Sequence, residues 1–234
     1  MGKLFQIKEP WMRPSCGNEA KYACEHFHYS RVCPLVARSY SFFTPSSEFI
    51  GCVIFGHGAT PNIGKPFGLE QNNCYELVRV ALNGKQGHGQ TSRIVAAAVR
   101  QFIKDIGRDL KMIISYADLD QGHRGIIYQA TNWIYAGSTG KYREGYTLTN
   151  GRFVHRRSIV GLIKTMVNRP TGGGGAQSEL DWCRIIFKDP GAQPHYTKGR
   201  HLYLFPVSKD MRQLALTLRK PYPKDNDVTD NPNP

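Results

Sequence analysis

The stretch that decides the fold runs Tyr75-Glu-Leu-Val-Arg-Val-Ala-Leu82, then Asn83-Gly-Lys-Gln-Gly-His-Gly89, then Gln90-Thr-Ser92 and the residues behind it. Tyr75 to Leu82 alternates as a strand does, with Tyr75, Leu77, Arg79 and Ala81 on one face. The glycine-rich run breaks the strand, and Thr91 or Ser92 is a good N-cap for a following helix. Val95, Ala98, Val99, Phe102 and Ile106 then recur at helical spacing with Arg93, Arg100 and Lys104 between them, and Gly107 ends the run. Lys111 to Asp118 reads as a second strand, placing Ile114, Tyr116 and Asp118 on one face, and a second helix is predicted from Ile126 to Tyr135 with Gly137 as its stop. Strand, loop, helix, strand, helix implies two parallel strands joined by a right-handed crossover, hence an α/β fold.

On the N-terminal side, Gly17 to Tyr29 is helix-like, with Ala20, Cys24 and Phe27 at helical spacing. Ser39 to Thr44 and Phe49 to Phe55 look like paired strands, and His57 to Asn73 is too long for a hairpin loop. On the C-terminal side, Phe153 to Arg157 reads as a strand and Ser158 to Asn168 as a helix capped by Ser158. Thr171 to Gly175 is a flexible break, Leu180 to Phe187 and His201 to Val207 read as strands, and Asp210 to Leu218 as a short helix. These elements fit one domain over residues 1–220, followed by a Pro/Asn/Asp-rich tail, 221–234, of disordered composition.

At 234 residues and 40% hydrophobic content the chain can bury a sizeable core. Its net charge is +13, and from Lys141 to Lys220 there are 15 Lys+Arg against 5 Asp+Glu. Such a basic half suits a polyanionic partner, above all nucleic acid, although charge alone equally fits a merely soluble surface. The longest apolar run, Ile94 to Val99, is far short of a membrane span, and the N-terminus lacks the apolar core of a secretion signal. The six cysteines form no CxxC pair and read as reduced thiols, so a cytoplasmic protein is expected. Cys16, Cys24 and Cys33 have the wrong spacing for a common zinc framework.

Gly84, Gly87 and Gly89, between a strand and a helix, could let a phosphate approach backbone N–H groups, or could simply make a tight turn. The order from Tyr75 to Gly137 resembles the acyl-CoA-binding half of the GNAT acyltransferase fold, a mixed central sheet with helices on both faces and splayed parallel strands at the cofactor cleft. Its Gln/Arg-x-x-Gly-x-Gly/Ala frame is met by Gln86-Gly-His-Gly89-Gln-Thr91 except at Thr91, and by Gly84-Lys-Gln-Gly87-His-Gly89 except at its first position. More distinctive is Ser115-Tyr-Ala-Asp-Leu-Asp-Gln-Gly-His-Arg-Gly-Ile-Ile-Tyr-Gln-Ala-Thr-Asn-Trp-Ile-Tyr-Ala-Gly137. Together with His28-Tyr29, Glu76-Leu-Val-Arg79, His155-Arg-Arg-Ser158 and Arg200-His-Leu-Tyr203, it resembles the Mom family of phage DNA-modification proteins.

That resemblance implies an enzyme, encoded by a phage and working in the bacterial cytoplasm, that adds a carbamoylmethyl (glycinamide-like) group to the exocyclic amine of adenine in double-stranded DNA and so protects it from restriction. It implies a reaction centre of His28, Tyr29, Asp118 and Tyr128, with Arg79, Gly87, His88, Gly89 and Ser92 along a cleft for acetyl-CoA or a related small-molecule donor. It also implies iron, for which His28, Tyr29 and Asp118 are competent ligands although no metal-binding spacing is present. Chemically, adenine's amine is a weak nucleophile, so a carboxylate that takes its proton matters; Asp118 suits that role, and equally a helix N-cap. Tyr128, Asn132 and Tyr135, at i, i+4 and i+7, could be core, or Tyr128 could protonate a leaving thiolate. His28-Tyr29 could stack a flipped adenine or pack a helix end. Arg152, Arg156, Arg157, Lys198, Arg200 and His201, with Tyr196 among them, are the candidate phosphate contacts, which position DNA without reading its sequence. Two other activities fit less of this pattern: a GNAT acetyltransferase of protein or small-molecule amines, and a DNA-binding shield without catalysis.

Overall fold

The computed structural model describes residues 10–58, 60, 62–87, 89–167 and 178–224. Within the stretch 1–220 read as one domain, the chain forms two compact units: Met1–Asp118 with His123–Ser138 and His201–Pro234, and Leu119–Gly122 with Thr139–Arg200.

The first unit holds β1 (Trp11–Pro14), α1 (Glu19–Phe27), β2 (Arg38–Phe43), β3 (Phe49–Gly56), β4 (Cys74–Leu82), α2 (Gln90–Ile106), β5 (Met112–Asp118), α3 (Ile126–Gln129) and β6 (Ile134–Ser138). After the second unit's elements come β10 (Arg200–Pro206) and α6 (Lys209–Thr217). Its sheet has the order β1-β2-β3-β4-β5-β10-β6, antiparallel from β1 through β4 and parallel between β4 and β5. Strand alternation explains why helices cover both faces. Val53 and Phe55 of β3 join Val95, Ala98, Val99 and Phe102 of α2, where Phe55 and Phe102 stack at 4.1 Å. Cys52 and Ile54, pointing the other way, meet Ala20, Ala23 and Cys24 of α1. Met112 and Ile114 of β5 pack with Met211 and Ala215 of α6. This is the GNAT-like mixed α/β sheet expected from the central segment, crossover included.

Several local expectations are corrected. The pairing of β3 with β4 slips from Ile54↔Arg79 to Phe55↔Leu77, so Val78 is a bulged residue and the alternation flips there. Tyr75 and Leu77 therefore face α2, whereas Val78 and Ala81 lie in the α1 cluster, and the four residues Tyr75 to Ala81 do not share one face. The helix predicted over Ile126 to Tyr135 is only one turn, because Asn132 takes a left-handed φ of 61° and the chain re-enters the sheet as β6. Trp133 and Tyr135 then point to one core and Ile134 and Ala136 to another, a period of two in place of the helical one. Neither Thr91 nor Ser92 caps α2; Gly89 does. Pro221 to Lys224 opens the predicted tail, yet Tyr222 donates to Trp133 O at 2.6 Å, and residues 225–234 lie outside the described residues.

The second unit contains β7 (Tyr142–Thr147), β8 (Phe153–His155), α4 (Arg156–Val167), α5 (Glu179–Phe187) and β9 (Gln193–Thr197). Its antiparallel sheet, order β8-β7-β9, packs Tyr146, Val154 and Ala192 against Ile159, Ile163 and Cys183 of the two helices. Leu180 to Phe187, expected as a strand, is helical because Ser178 and Asp181 form a capping box ahead of it. α4 begins at Arg156, so Ser158 sits in its first turn and does not cap it. The break from Thr171 to Gly175 lies outside the described residues. In chain order the whole of Thr139–Arg200 interrupts β6 and β10, which are antiparallel neighbours.

Candidate functional site

The site grows out of the place where β4 and β5 part. Their parallel pairing runs from Cys74↔Met112 to Glu76↔Ile114 and stops. One residue further, Ser115 Oγ lies 2.8 Å from Leu77 O and 2.7 Å from Tyr128 Oη, all buried. A hydroxyl has one proton; given to the carbonyl, it leaves the Tyr128 phenol as donor to Ser115. Burial pushes Tyr128 up to about 12, so the phenol stays protonated.

Around the C-terminal end of β5 the predicted reaction-centre residues converge. α1 ends at Phe27, and the extended backbone of His28, its cap, swings Tyr29 outward to 47% exposure. Tyr29 Oη donates to Asp118 Oδ2 at 3.1 Å. The chain loops back so that His123 N–H donates to Asp118 O at 3.0 Å and its ring meets the edge of Tyr29 at 5.6 Å. His28 lies against Tyr29 at 4.3 Å. Asp118 caps no helix, since α3 starts at Ile126 behind Gly125.

His28 has a defined role here. Burial, with the charges of Arg79 and His123, pulls its imidazole down to about 4, so it is neutral near pH 7. The Ser30 backbone N–H, which can only donate, points at His28 Nδ1 at 3.2 Å. The ring proton therefore sits on Nε2, and His28 presents a donor, not a base. The same charge on Arg79 is felt by Tyr128 and Cys24. Arg79 Nη1 donates to Val78 O at 2.7 Å while its buried Nε has no hydrogen-bond partner among the described residues. The bulge at Val78 thus brings Arg79 towards His28.

Iron at this donor set would require the His28 proton to move. Nε2 could bind a metal only if its proton moved to Nδ1, where the Ser30 N–H lies 3.2 Å away and Ser30 Oγ, at 2.9 Å, is the acceptor for it. Arg79 adds positive charge beside it. Among the described residues no three His, Cys, Asp or Glu side chains gather as a metal set.

The loop between β4 and α2 suits an anion. Gly84, Gly87 and Gly89 all have positive φ, between 73° and 84°, which explains glycine there by backbone and not by space. Ser92 Oγ donates back to Gly89 O at 3.1 Å, and the N-cap Gly89 has no side chain to cap the first-turn N–H groups of α2. The first turn carries no acidic residue. His88 lies outside the described residues.

In the second unit the basic residues line a cleft of about 570 Å³, whose walls include Tyr142, Arg143, His155, Arg156, Arg157 and Arg200. Glu179 binds Arg156 through two hydrogen bonds of 2.7 Å and Arg143 at 2.9 Å, and these cations hold its carboxyl below the usual range. Arg200 pairs with Glu144 at 2.6 Å. Arg152 and Lys198 are not among the cleft's walls: Arg152 lies over the Phe187 ring at 5.5 Å, and the Lys198 N–H donates to Asp120 at 3.0 Å. Tyr196 carries Lys141 over its ring at 5.3 Å. His201 is buried in the first unit, its Nδ1 2.8 Å from Tyr135 Oη, and so is no surface phosphate contact.

The Mom protein family matches residues 12–224. The chain belongs to the Mom family. It is 30% identical over 115 residues to the protein named methylcarbamoylase Mom of Escherichia phage Mu, covering 47% of this chain and 46% of that protein. The matched part is thus about half the length of that relative. Among solved structures it is similar to spermidine/spermine N-acetyltransferase SpeG of Vibrio cholerae, at 8% identity and TM-score 0.43, over 88% of this chain and 96% of that one. It is also similar to a GNAT family acetyltransferase of Elizabethkingia anophelis with acetyl-CoA bound, at 11% identity and TM-score 0.38, over 85% and 99%. The fold itself rests on the strand order and the parting of β4 from β5.

In this Mom-family chain the structure brings His28, Tyr29 and Asp118 together and sets Tyr128 behind Ser115. It adds His123, which sits in the quoted Gln-Gly-His motif, and Ser115, which opens it. Arg143, Lys164 and Glu179 of the second unit were not singled out by sequence. Lys164 had a legible signal, seven residues after Arg157 on one helix; Glu179 had none, because its partners are 36 and 23 residues away. No helix is long and apolar enough to cross a membrane among the described residues.

Proposed function

We propose that this chain is a phage DNA-modification transferase that places a carbamoylmethyl-type group on the exocyclic amine of adenine. The observation that carries the reading is the Tyr29–Asp118 hydrogen bond at the end of β5, beside the parting strands, in a chain of this family. Ligands of open α/β sheets bind in such crevices at the carboxyl ends of strands. The first turn of α2 and the left-handed glycines before it suit the phosphates of a CoA-type donor whose carbamoylmethyl methylene carbon itself carries the leaving group. The half-exposed Tyr29 ring offers a face on which a flipped adenine stacks. The amine's proton passes to Asp118 as the nitrogen–carbon bond forms and the donor's bond to its leaving group breaks. Tyr128, kept protonated by burial and donating to Ser115, supplies the leaving group's proton through the Ser115 hydroxyl. His28 Nε2–H and Arg79 provide donors for the oxygen of the transferred group.

Mass spectrometry of nucleosides from plasmid DNA, after expression of wild type or Asp118→Ala, tests this. Wild type should yield a deoxyadenosine in which carbamoylmethyl replaces one hydrogen, and the variant should reduce its yield by about 10²–10⁴-fold, the usual worth of a general base. An acetylated deoxyadenosine would assign different chemistry to the same site. Unaltered nucleosides from folded, DNA-bound wild type would sink the reading.

A further inference from the structure

We propose that the cleft of the second unit grips the phosphodiester backbone of DNA through Arg157 and Lys164, with Gly161 as the floor between them. The inference rests on the DNA reading above and assigns it a second, non-catalytic site. Of the cleft's cations, Arg143 and Arg156 share the single charge of Glu179, and Arg200 pairs with Glu144. Arg157 and Lys164 make no ion pair among the described residues, and both are exposed. The paired arginines build the walls; the two unpaired cations are the ones available to an incoming anion. Seven residues apart on α4, they lie on one helix face about 10 Å apart.

Between them is a residue the fold does not ask for. Gly161 sits in the middle of α4, where glycine costs about 1 kcal/mol relative to alanine. A Cβ there would meet nothing within 4 Å among the described residues, and its φ is not in the left-handed region, so neither their packing nor the backbone requires glycine. Close approach of something outside the protein is the remaining physical reason. His155, on the same wall, accepts the Arg157 N–H on Nδ1 at 3.0 Å, and burial keeps the ring neutral, which makes Nε2 a further donor. A long anion with regularly spaced charges suits two separated cations and a bare floor better than a single small anion does. The unit as a whole agrees, with 11 Lys+Arg against 5 Asp+Glu over Leu119–Gly122 and Thr139–Arg200.

The test uses the full chain and a duplex of dG and dC only, so that no adenine chemistry can intervene, with binding followed by fluorescence anisotropy across a salt series. Arg157→Ala/Lys164→Ala should flatten the slope of log K against log salt by about 1.8 and weaken binding roughly fiftyfold at 0.1 M salt, as expected for two lost phosphate contacts. Gly161→Gln, which adds a side chain into open space without changing charge, should weaken binding at least tenfold. Lys104→Ala/Arg108→Ala removes equal charge from exposed positions of the first unit and should change the slope by less than half as much. Equal losses in the two double variants, wild-type binding by Gly161→Gln, or tighter binding of duplex RNA than of DNA would each overturn the proposal. Cleft-dependent binding by a protein that modifies nothing would keep this inference and sink the preceding one. Undiminished binding by Arg157→Ala/Lys164→Ala, with adenine modification intact, would do the reverse.

Discussion

The two units hold their polar side chains by different means. At the reaction centre the links are between neutral or singly charged groups and depend on close geometry: Ser115 between Leu77 and Tyr128, Ser30 against His28, Tyr29 on Asp118. In the second unit the links are arginine–carboxylate pairs on side chains 20–51% exposed. Pairs in that setting contribute at most about 1 kcal/mol each, because water screens them. Their effect is to fix the guanidinium planes and to set which cations remain unneutralised. A buried hydrogen bond left half-made costs about 1–3 kcal/mol, so the Ser115 links tolerate little movement and hold the end of β5 on which the exposed Tyr29–Asp118 pair is set. The second tolerates movement and suits a ligand that slides or varies.

The sharpest way to break that contrast is a pair of glycines, one in each unit. Gly125 has φ +70° and a Cβ there would overlap the Tyr203 ring, whose hydroxyl donates to Arg124 O. Gly125→Ala combines left-handed strain of about 1–2 kcal/mol with overpacking of about 1–3 kcal/mol. A loss of about 3–4 kcal/mol in chemical denaturation is expected, with adenine modification lost and adenine-free duplex binding kept. Gly145→Ala has no φ strain, but its Cβ would overlap Val154 O and crowd the Phe153 ring, for about 1–3 kcal/mol. Here duplex binding should fall while the isolated reaction-centre geometry, read by tyrosine titration of Tyr128, is kept. Folded variants in which both glycines affect both readouts equally would erase the division of labour.

The two regions also differ in how far the sequence discloses them. The β4–loop–α2–β5 crossover was legible because its signals are local: alternation, three glycines, a clean apolar stripe, a stop at Gly107. His28, Tyr29 and Asp118 could be named only through family resemblance, since their meeting spans 89 residues. The bulge at Val78 was invisible because it is a property of pairing with β3 and not of β4 alone. The long helix wrongly expected through Tyr135 shows the limit of periodicity: Tyr128, Asn132 and Tyr135 match a helical face, yet one left-handed Asn132 decides otherwise. In the second unit Ser178-x-x-Asp181 was a readable capping box, overlooked because Trp182, Ile185 and Phe187 look strand-like.

A smaller effect separates the units by pH. His28 is held at about 4 against an ordinary 6.5, so between those values the unfolded chain takes up a proton that the folded one refuses. Stability is therefore complete above about pH 6.5 and is lost as pH falls towards 4, by about 2 kcal/mol after allowing for partial exposure. Glu19 is held at about 2 by Arg13, against an ordinary 4.5, so its contribution is lost only below about pH 4.5. His28→Gln should flatten the unfolding free energy between pH 6.5 and 4.5 and leave the lower limb in place. An unchanged upper limb would mean that His28 titrates normally, and the donor role assigned to it would go with it.

The smallest expected change is also the most discriminating about the second unit. Gly161→Ala introduces only a methyl group, into open space, on an exposed turn of α4 where alanine is the better helix former. By helix propensity alone it should stabilise the protein by about 0.5–1 kcal/mol, because less backbone entropy is lost on folding. Thr165 Oγ1 donates to Gly161 O at 2.8 Å and is unaffected, since it uses the carbonyl. A gain in denaturation midpoint combined with weaker duplex binding would show that glycine is kept there at a cost in stability for the sake of what lies on it. A gain with unchanged binding would reduce Gly161 to an incidental residue, and the grip would then rest on Arg157 and Lys164 alone. A loss of stability would mean that the floor is covered by another part of the chain, and the contrast between a closed reaction centre and an open basic cleft would fail at its second half.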